Sequence, residues 1–372
     1  MMKLLVATFL FVLLGRSVGF KRMSSSITLT SSVSQLRFLL QLDAGKKGFG
    51  ASPPPSPSSP SKGFGASGGG GAVKKPTATL SPQQQLERTI QQGIDDVVGL
   101  RDAMNLKTEL DEWAITLSTM SSVEKARLPT HVLEGVEAKR ARLRALAAQG
   151  WDERSVSRKL QEITWDASAH FRDERHQTVD ISATMDLHMC KVADWALRAA
   201  AGDDGQAAVL DVGTGNGILI KFLQQQHGAY ETGQAVGIDL SAEMVGVART
   251  NYPQATFVVG DFLDYRPEPA RGLFDAVIFN ECLHNFLDPD TALAHALALA
   301  RPGGHVVVSH PRGFDNVFLQ QRRNRWLSPS LLPTADELEP LADALGADIL
   351  NPPNVRSAHY LAVLKKRADN AS

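Results

Sequence analysis

The sequence predicts an α/β protein: a mainly parallel, seven-stranded sheet with helices on both faces, preceded by an N-terminal helical region. Three observations predict it. From Val209 on, short apolar runs rich in β-branched residues alternate with stretches of helical periodicity. Alternation of strand and helix implies parallel strands covered on both faces. Glycine-rich or acidic turns close the apolar runs at their C-terminal ends, which is where such sheets bind ligands.

The first eighty residues stand apart from that fold. They hold ten Lys/Arg and one acid, Asp43, whereas residues 81–372 hold 29 Lys/Arg and 39 Asp/Glu. The net charge of −1 therefore conceals an acidic body. An acidic body opposes non-specific nucleic-acid binding, which needs Lys/Arg against phosphate, so no nucleic-acid partner is expected. Residues 1–19 join one lysine, an apolar run from Leu4 to Leu14 and the small residues Ser17 and Gly19. That is the pattern of a signal peptide, and the run is too short to span a bilayer. Residues 20–45 are basic, rich in Ser/Thr and nearly acid-free, as transit peptides are. The two together resemble the bipartite presequence of algae with secondary plastids. The resemblance implies delivery to a plastid, secretion being the alternative. Residues 46–80 repeat KGFGAS at 47–52 and 62–67 within Gly, Pro and Ser, and read as a disordered linker. The mature chain is expected to have no transmembrane segment.

Residues 81–150 read as helices. Ser81, Pro82 and Gln84 form an N-cap, a first-turn proline and a capping-box residue. Leu86, Ile90, Ile94 and Val97 make one stripe, Leu106, Leu110, Trp113 and Leu117 a second, and Val132, Val136, Leu143 and Leu146 a third that stops at Gly150. The stripes are expected to pack on one another or on the domain that follows; a protein partner for them stays open. The basic run from Lys139 to Arg144 reads as a solvated helix face.

The remaining domain, 151–372, has candidate strands at Ala207–Val212, Ala235–Ile238, Thr256–Val259, Phe274–Phe279, His305–Ser309, Ala347–Leu350 and His359–Leu364. Cys190 and Cys282 form no metal-spaced pair and read as two reduced, buried thiols, and no metal site is expected.

The turn in VLDVGTGNGILI decides the cofactor. Dinucleotide sites use G-x-G-x-x-G. Here Gly213, Gly215 and Gly217 are followed by Ile218 where the third dinucleotide glycine belongs. The sequence instead fits D-x-G-x-G-x-G from Asp211. VGID places Asp239 at the next strand end, VVGDFLD places Asp261 and Phe262 at the third, and FDAVIFNECLHNFLDP and RPGGHVVVSHP follow. Together with the segment from Trp165 to Phe171, this order of motifs resembles class I S-adenosylmethionine-dependent methyltransferases over about residues 160 to 366. The nearest likeness is the broad type-11 group that includes quinone and sterol C-methyltransferases.

The resemblance implies a Rossmann-like fold and S-adenosylmethionine as cofactor. Gly213, Gly215 and Gly217 would admit the ligand close to the backbone, with helix N–H groups meeting its methionine carboxylate. Asp211 would organise the loop and attract the ammonium. Asp239 would accept the ribose hydroxyls, Leu240 would pack on adenine, and Asp261 would take the adenine amino group beside Phe262, unless it serves only as a helix N-cap. Asn280 would touch the cofactor or order its loop. His284 and Glu281 are the candidate catalytic residues, and His310 belongs to the pocket rim. The expected function is methylation of a small molecule, quinone-, lipid- or pigment-like. The alternatives are a cofactor-binding regulator or assembly factor without turnover, or a protein or RNA methyltransferase; Ile218 disfavours a nicotinamide oxidoreductase. Asn351-Pro352-Pro353-Asn354 imitates an amino-methylation motif but follows the sixth strand and reads as a turn. Gln320–Trp326 is basic with one aromatic and reads as an exposed helix face.

Overall fold

The computed structural model describes residues 82–178, 183–199, 207–226, 235–268 and 272–368. The segments expected at 1–19, 20–45 and 46–80, and the N-cap Ser81, lie outside the described residues. The chain divides into two compact units. Of the unit Gly19–Ile90 only residues 82–90 are described, as the opening turns of a helix.

Helix α1 (Pro82–Thr119) unites the first two apolar stripes. A short α2 (Ser122–Ala126) begins at a reciprocal capping box between Ser121 and Glu124. Helix α3 (Thr130–Ala148) is followed by Gly150 at φ 94°, a left-handed residue of the kind that ends helices. Helix α4 (Glu153–Thr178) comes next. Leu100 and Ala103 of α1 bury against Val156 and Leu160 of α4 and against Trp326. The basic run of α3 is exposed, and Arg142 and Lys139 reach back to Asp102 and Glu109 of α1 at 2.6 and 2.5 Å.

All seven expected strands form. Helix α5 (Ala183–Leu197) leads to β1 (Val209–Val212), α6 (Ile218–Gln226), β2 (Ala235–Asp239), α7 (Ala242–Asn251), β3 (Thr256–Val259) and β4 (Phe274–Asn280). Helix α8 (Pro289–Leu299), β5 (Ala300–His310), α9 (Gly313–Arg323), α10 (Ala335–Ala344), β6 (Ala347–Asn351) and β7 (Tyr360–Lys366) complete the sheet. Its order is β3-β2-β1-β4-β5-β7-β6, parallel except where β7 runs antiparallel to both β5 and β6. Alternate residues feed opposite layers. Leu210, Val212, Val277 and Phe279 pack under α8 and α10, and Val209, Ala276 and Ile278 pack under α5, α6 and α7. The strand order reverses between β1 and β4, so the crevice beyond their carboxyl ends is the place for a ligand.

Three expectations need correction. The fifth strand begins at Ala300, not His305, and the Pro-Gly-Gly segment is looped out within it. Pairing with β4 jumps from Phe274↔Ala300 to Ala276↔His305, with Gly303 at φ 80°. Nor is Gln320–Trp326 one exposed helix face. The helix stops at Arg323, Arg325 pairs with Asp111 of α1, and Trp326 is buried between α1 and α4. The turn expected at Asn351–Asn354 falls further on: Asn351 ends β6, its amide donating to Leu361 O at 2.7 Å across the β6–β7 pair, and the chain turns at Asn354–Ser357, where Ser357 N donates to Asn354 O at 3.0 Å. Among the described residues no helix is long and apolar enough to cross a membrane.

If the helical region is docked as the Leu100 cluster indicates, Leu100→Ala lowers the stability of the sheet domain by about 2–5 kcal/mol, the usual range for a large core truncation. Urea unfolding followed by Trp fluorescence measures it; an unchanged midpoint contradicts the docking.

Candidate functional site

A cavity of about 480 Å³ opens beyond the carboxyl ends of β1, β2, β3 and β4. That is within the range of about 300–1,000 Å³ usual for small-molecule sites. Its floor is the turn after β1. Gly213, Gly215 and Gly217 all have positive φ, at 64°, 54° and 82°. Gly213 has a second reason to be glycine: a Cβ there would lie 2.6 Å from Cys282 Cβ on the loop after β4. Gly217 turns instead toward α7, where a Cβ would meet Tyr252 at 2.8 Å. Gly213 and Gly215 line the cavity; Gly217 sets the packing behind it. Helix α6 then starts at Ile218, which is also on the cavity wall.

The acidic residues fall at three successive strand ends. Asp239 binds the turn directly: its Oδ2 accepts from Gly215 N and its Oδ1 from Ser241 N, both at 2.9 Å. Asp239 and Leu240 line the cavity. Asp211 does not. It is buried beneath the turn and accepts from the Thr214 hydroxyl at 2.7 Å, so it organises the loop from below. Burial, with Asp239 adding repulsion, pushes its carboxyl up to about 7. Asp261 and Phe262 line the far end. Asp261 is the N-cap of a short 3-10 turn, accepting from Leu263 N at 3.0 Å, and its other oxygen faces Arg154 at 2.9 Å. Phe262 is fixed edge-on by Phe279, Phe286 and His295.

The wall after β4 holds the remaining expected residues. Asn280 accepts from the Ser309 hydroxyl at 2.7 Å and joins the ends of β4 and β5. Glu281 stands at φ 58°, the one non-glycine residue with positive φ among the described residues. Residues in that region cost about 1–3 kcal/mol and cluster at functional sites. Its N–H donates to Ser309 O at 2.9 Å, and its carboxylate lies 3.7 Å from Arg312. Cys282 donates from Sγ to Val212 O at 2.9 Å. Burial and three nearby acids push its thiol up, which keeps it protonated and inert. Cys190, expected to be buried, is only half-buried; it too is a free thiol.

His284 is not on the wall. It is buried behind it, its Nε2 facing Gln320 Oε1 at 3.2 Å, while Cys282, Asn285 and Phe286 of the same loop line the cavity. His310 is buried beside it, with ring centroids 5.3 Å apart. The pocket-rim position expected for His310 belongs to its neighbour Pro311. Among the described residues no grouping of His, Cys, Asp and Glu can hold a metal ion.

Sequence reasoning missed the roof. Helix α4 lays Arg154, Ser157, Arg158, Gln161 and Trp165 over the cavity. Their spacing marks one helical face and was available as a signal; what it faced was not. Three contacts hold the helix there. Arg154 pairs with Asp261 and Asp264, Gln161 donates to Asn285 O at 2.7 Å, and Asp166 accepts from the Ser241 hydroxyl at 2.6 Å and from Glu243 N at 3.2 Å. Met185 and Met189 of α5 close the opposite side.

Residues 185–351 match the family model described as a methyltransferase domain. Among curated proteins, the chain is 34% identical over 120 residues to the ubiquinone biosynthesis O-methyltransferase of Vibrio vulnificus, which spans 31% of this chain and 48% of that one. It is 38% identical over 123 residues to the protein of that name from Aromatoleum aromaticum, with the same coverage. It is 33% identical over 143 residues to the demethylmenaquinone methyltransferase of Tropheryma whipplei, covering 36% and 54%. The chain spans about half the length of the curated relatives it matches.

The raised Asp211 carboxyl has a definite sign in stability. The folded chain keeps this proton up to about pH 7, whereas the unfolded chain loses it near pH 4. Stability from this group therefore falls as pH rises between those values and is level above. The buried histidines 188, 284 and 310, lowered to about 4, 4 and 3, contribute the opposite slope below about 6.5. The difference between wild type and Asp211→Asn isolates Asp211: the variant gains stability relative to wild type as pH rises from 5 to 8, measured by urea midpoints. A constant difference contradicts the raised carboxyl.

Proposed function

We propose that the chain, whose residues 185–351 match a methyltransferase-domain model, is a class I S-adenosylmethionine-dependent methyltransferase that transfers a methyl group from S-adenosylmethionine to a small molecule. The observation that carries the proposal is the convergence of the glycine turn, Asp239 and Asp261 on one cavity at the sheet's switch point. The cofactor, when bound, supplies a methyl already activated on a sulfonium. The protein's task is then to align the acceptor and exclude water, worth about 7–11 kcal/mol when the geometry is right.

The residues present fit that cofactor. Gly215 has nothing within 4 Å of where a Cβ would stand, which leaves its backbone open to the cavity. On this reading the turn and the start of α6 meet the methionine carboxylate. Asp211 favours the ammonium from beneath. Asp239 accepts the ribose hydroxyls with Leu240 against adenine, and Asp261 accepts the adenine amino group beside Phe262. A carboxylate has lone pairs to spare for this after its bonds to Leu263 and Arg154. Asn280 keeps the ends of β4 and β5 in register at the reacting centre. Glu281 is the proposed acceptor-side carboxylate, and His284 acts from behind the wall.

The names of the three curated relatives, two for ubiquinone biosynthesis and one for demethylmenaquinone, support a quinone-like small-molecule acceptor. The acidic body and a cavity of small-molecule size support a small molecule over RNA. The basic, Ser/Thr-rich residues 20–45 support a plastid destination within the same proposal. A fluorescent fusion of residues 1–45 that stays outside the plastid removes that part.

Calorimetry tests the central assignment. The protein is expected to bind S-adenosylmethionine and S-adenosylhomocysteine and to ignore NAD. Asp239→Ala is expected to weaken S-adenosylmethionine binding at least about tenfold, the scale of one charged hydrogen bond. Binding of NAD alone, or an unchanged affinity in the variant, overturns the respective assignment.

A further inference from the structure

Helix α4 lies outside residues 185–351, so the match to the methyltransferase-domain model assigns it no part in the site. Its first turns are nevertheless built onto the end of the cavity proposed for adenine. Arg154 Nη2 donates to Asp261 Oδ2 at 2.9 Å and to Asp264 Oδ1 at 3.3 Å. Arg158, one turn further along the same helix face, stands 3.8 Å from Asp264 Oδ2. The backbone that presents these arginines is held on both sides. Ser155 N donates to Asp152 Oδ1 at 2.9 Å, and the Ser157 hydroxyl donates to Trp326 O at 2.9 Å, where Trp326 packs into the apolar seam with α1. Arg154 therefore reaches the cavity from a fixed helix rather than from a loop.

Asp261 depends on this contact more than the roof does. Its side chain is only 10% exposed, against 50% for Arg154 and 64% for Asp264. A carboxylate largely withdrawn from water has to be compensated by a cation or by donors. Leu263 N donates to Oδ1 at 3.0 Å, and among the described residues Arg154 is the one arginine or lysine paired with Asp261. Held at one oxygen alone, a carboxylate still turns about its last torsion, which is broad. Held at both, its plane is fixed. Each oxygen keeps a second lone pair, and Asp261 lines the cavity, so a donor there can still be accepted. Such a group selects its ligand only as well as its support holds it in place. The roof, by contrast, has other fastenings: Gln161 to Asn285 O, and Asp166 to the Ser241 hydroxyl. A latch on the roof would act on every ligand of the cavity alike, whereas a support for Asp261 acts on a ligand that donates to it.

We propose that Arg154 is a positioning residue for the adenine end of the site: paired with Asp261, it holds the carboxylate that accepts the cofactor's amino group and thereby sets the preference for an aminopurine. This rests on the methyltransferase reading above, and it extends the cofactor site to a helix beyond the matched residues.

The test uses the full chain and two probes titrated by calorimetry: S-adenosylhomocysteine, and its analogue in which hydrogen replaces the adenine amino group. Wild type is expected to bind S-adenosylhomocysteine at least roughly tenfold more tightly than the analogue, the scale of one charged hydrogen bond. Arg154→Gln is expected to bring the two affinities within about threefold, chiefly by weakening S-adenosylhomocysteine. Arg154→Lys, which keeps the charge, is expected to retain most of the preference, and Asp264→Asn to retain all of it. In an Asp261→Ala background, where the preference is already lost, Arg154→Gln is expected to change nothing further. A wild type without the preference, an Arg154→Gln protein that keeps it, or additive losses in the double variant overturns the proposal. Equal weakening of both probes by Arg154→Gln overturns it too, and makes Arg154 a latch on the roof. Should Arg154→Gln fail to fold, Arg154→Met, which preserves the apolar stem, takes its place in the same comparison. Failure of the wild type to bind S-adenosylhomocysteine at all sinks the methyltransferase reading and the role of Arg154 with it, whereas binding without the expected pattern sinks only the role of Arg154.

Discussion

The architecture of the site depends on one close approach, that of Gly213 to Cys282 at the seam between β1 and β4. The two strands are hydrogen-bonded neighbours whose chains leave the sheet in opposite directions, so their loops diverge and leave a crevice. The crevice stays open only if the loop after β1 lies flat against the loop after β4. A residue without Cβ at 213, in a left-handed conformation, permits that contact. The Cys282 thiol, protonated and donating to Val212 O, fastens it from the other side.

Everything else in the site is arranged on that seam. Asp239 draws the turn toward β2 through Gly215, and Asp211 supports it from below through Thr214. Helix α4 then closes the cavity by polar contacts to three separate elements, through Arg154, Gln161 and Asp166. Because α4 also carries the apolar seam with α1, the N-terminal helices and the cofactor cavity share one rigid element. Two carboxylates near one another, one of them raised by burial, give the floor a charge that a cationic ligand group would stabilise.

The sheet was legible because parallel strands buried on both faces read as continuous apolar runs, as Phe274–Phe279 does. The glycine turn was legible because three positive φ angles leave few other residues possible. The site's chemistry was less so. His284 was expected near the reacting centre from its place in the loop, yet it lies one layer behind the wall because the short 3-10 turn at Leu283–Asn285 rotates it inward. Arg154 and Gln161 read as the polar face of an amphipathic helix, and no local pattern says which surface such a face will cover. Trp326 looked like the end of a basic exposed helix; its burial is decided by α1, more than two hundred residues upstream. The looped-out Pro302–Gly304 segment is likewise a matter of pairing with β4, which a run of residues considered alone does not contain.

On the proposed function, three strand ends and a roofing helix make one cofactor site. Amide hydrogen exchange of the full chain with and without S-adenosylhomocysteine tests it most directly. Peptides covering 209–217, 235–241, 259–264 and 154–165 are expected to be protected together, at one ligand concentration dependence. Protection that skips the turn and Asp239, or that spares α4 while the strand ends are covered, would contradict it.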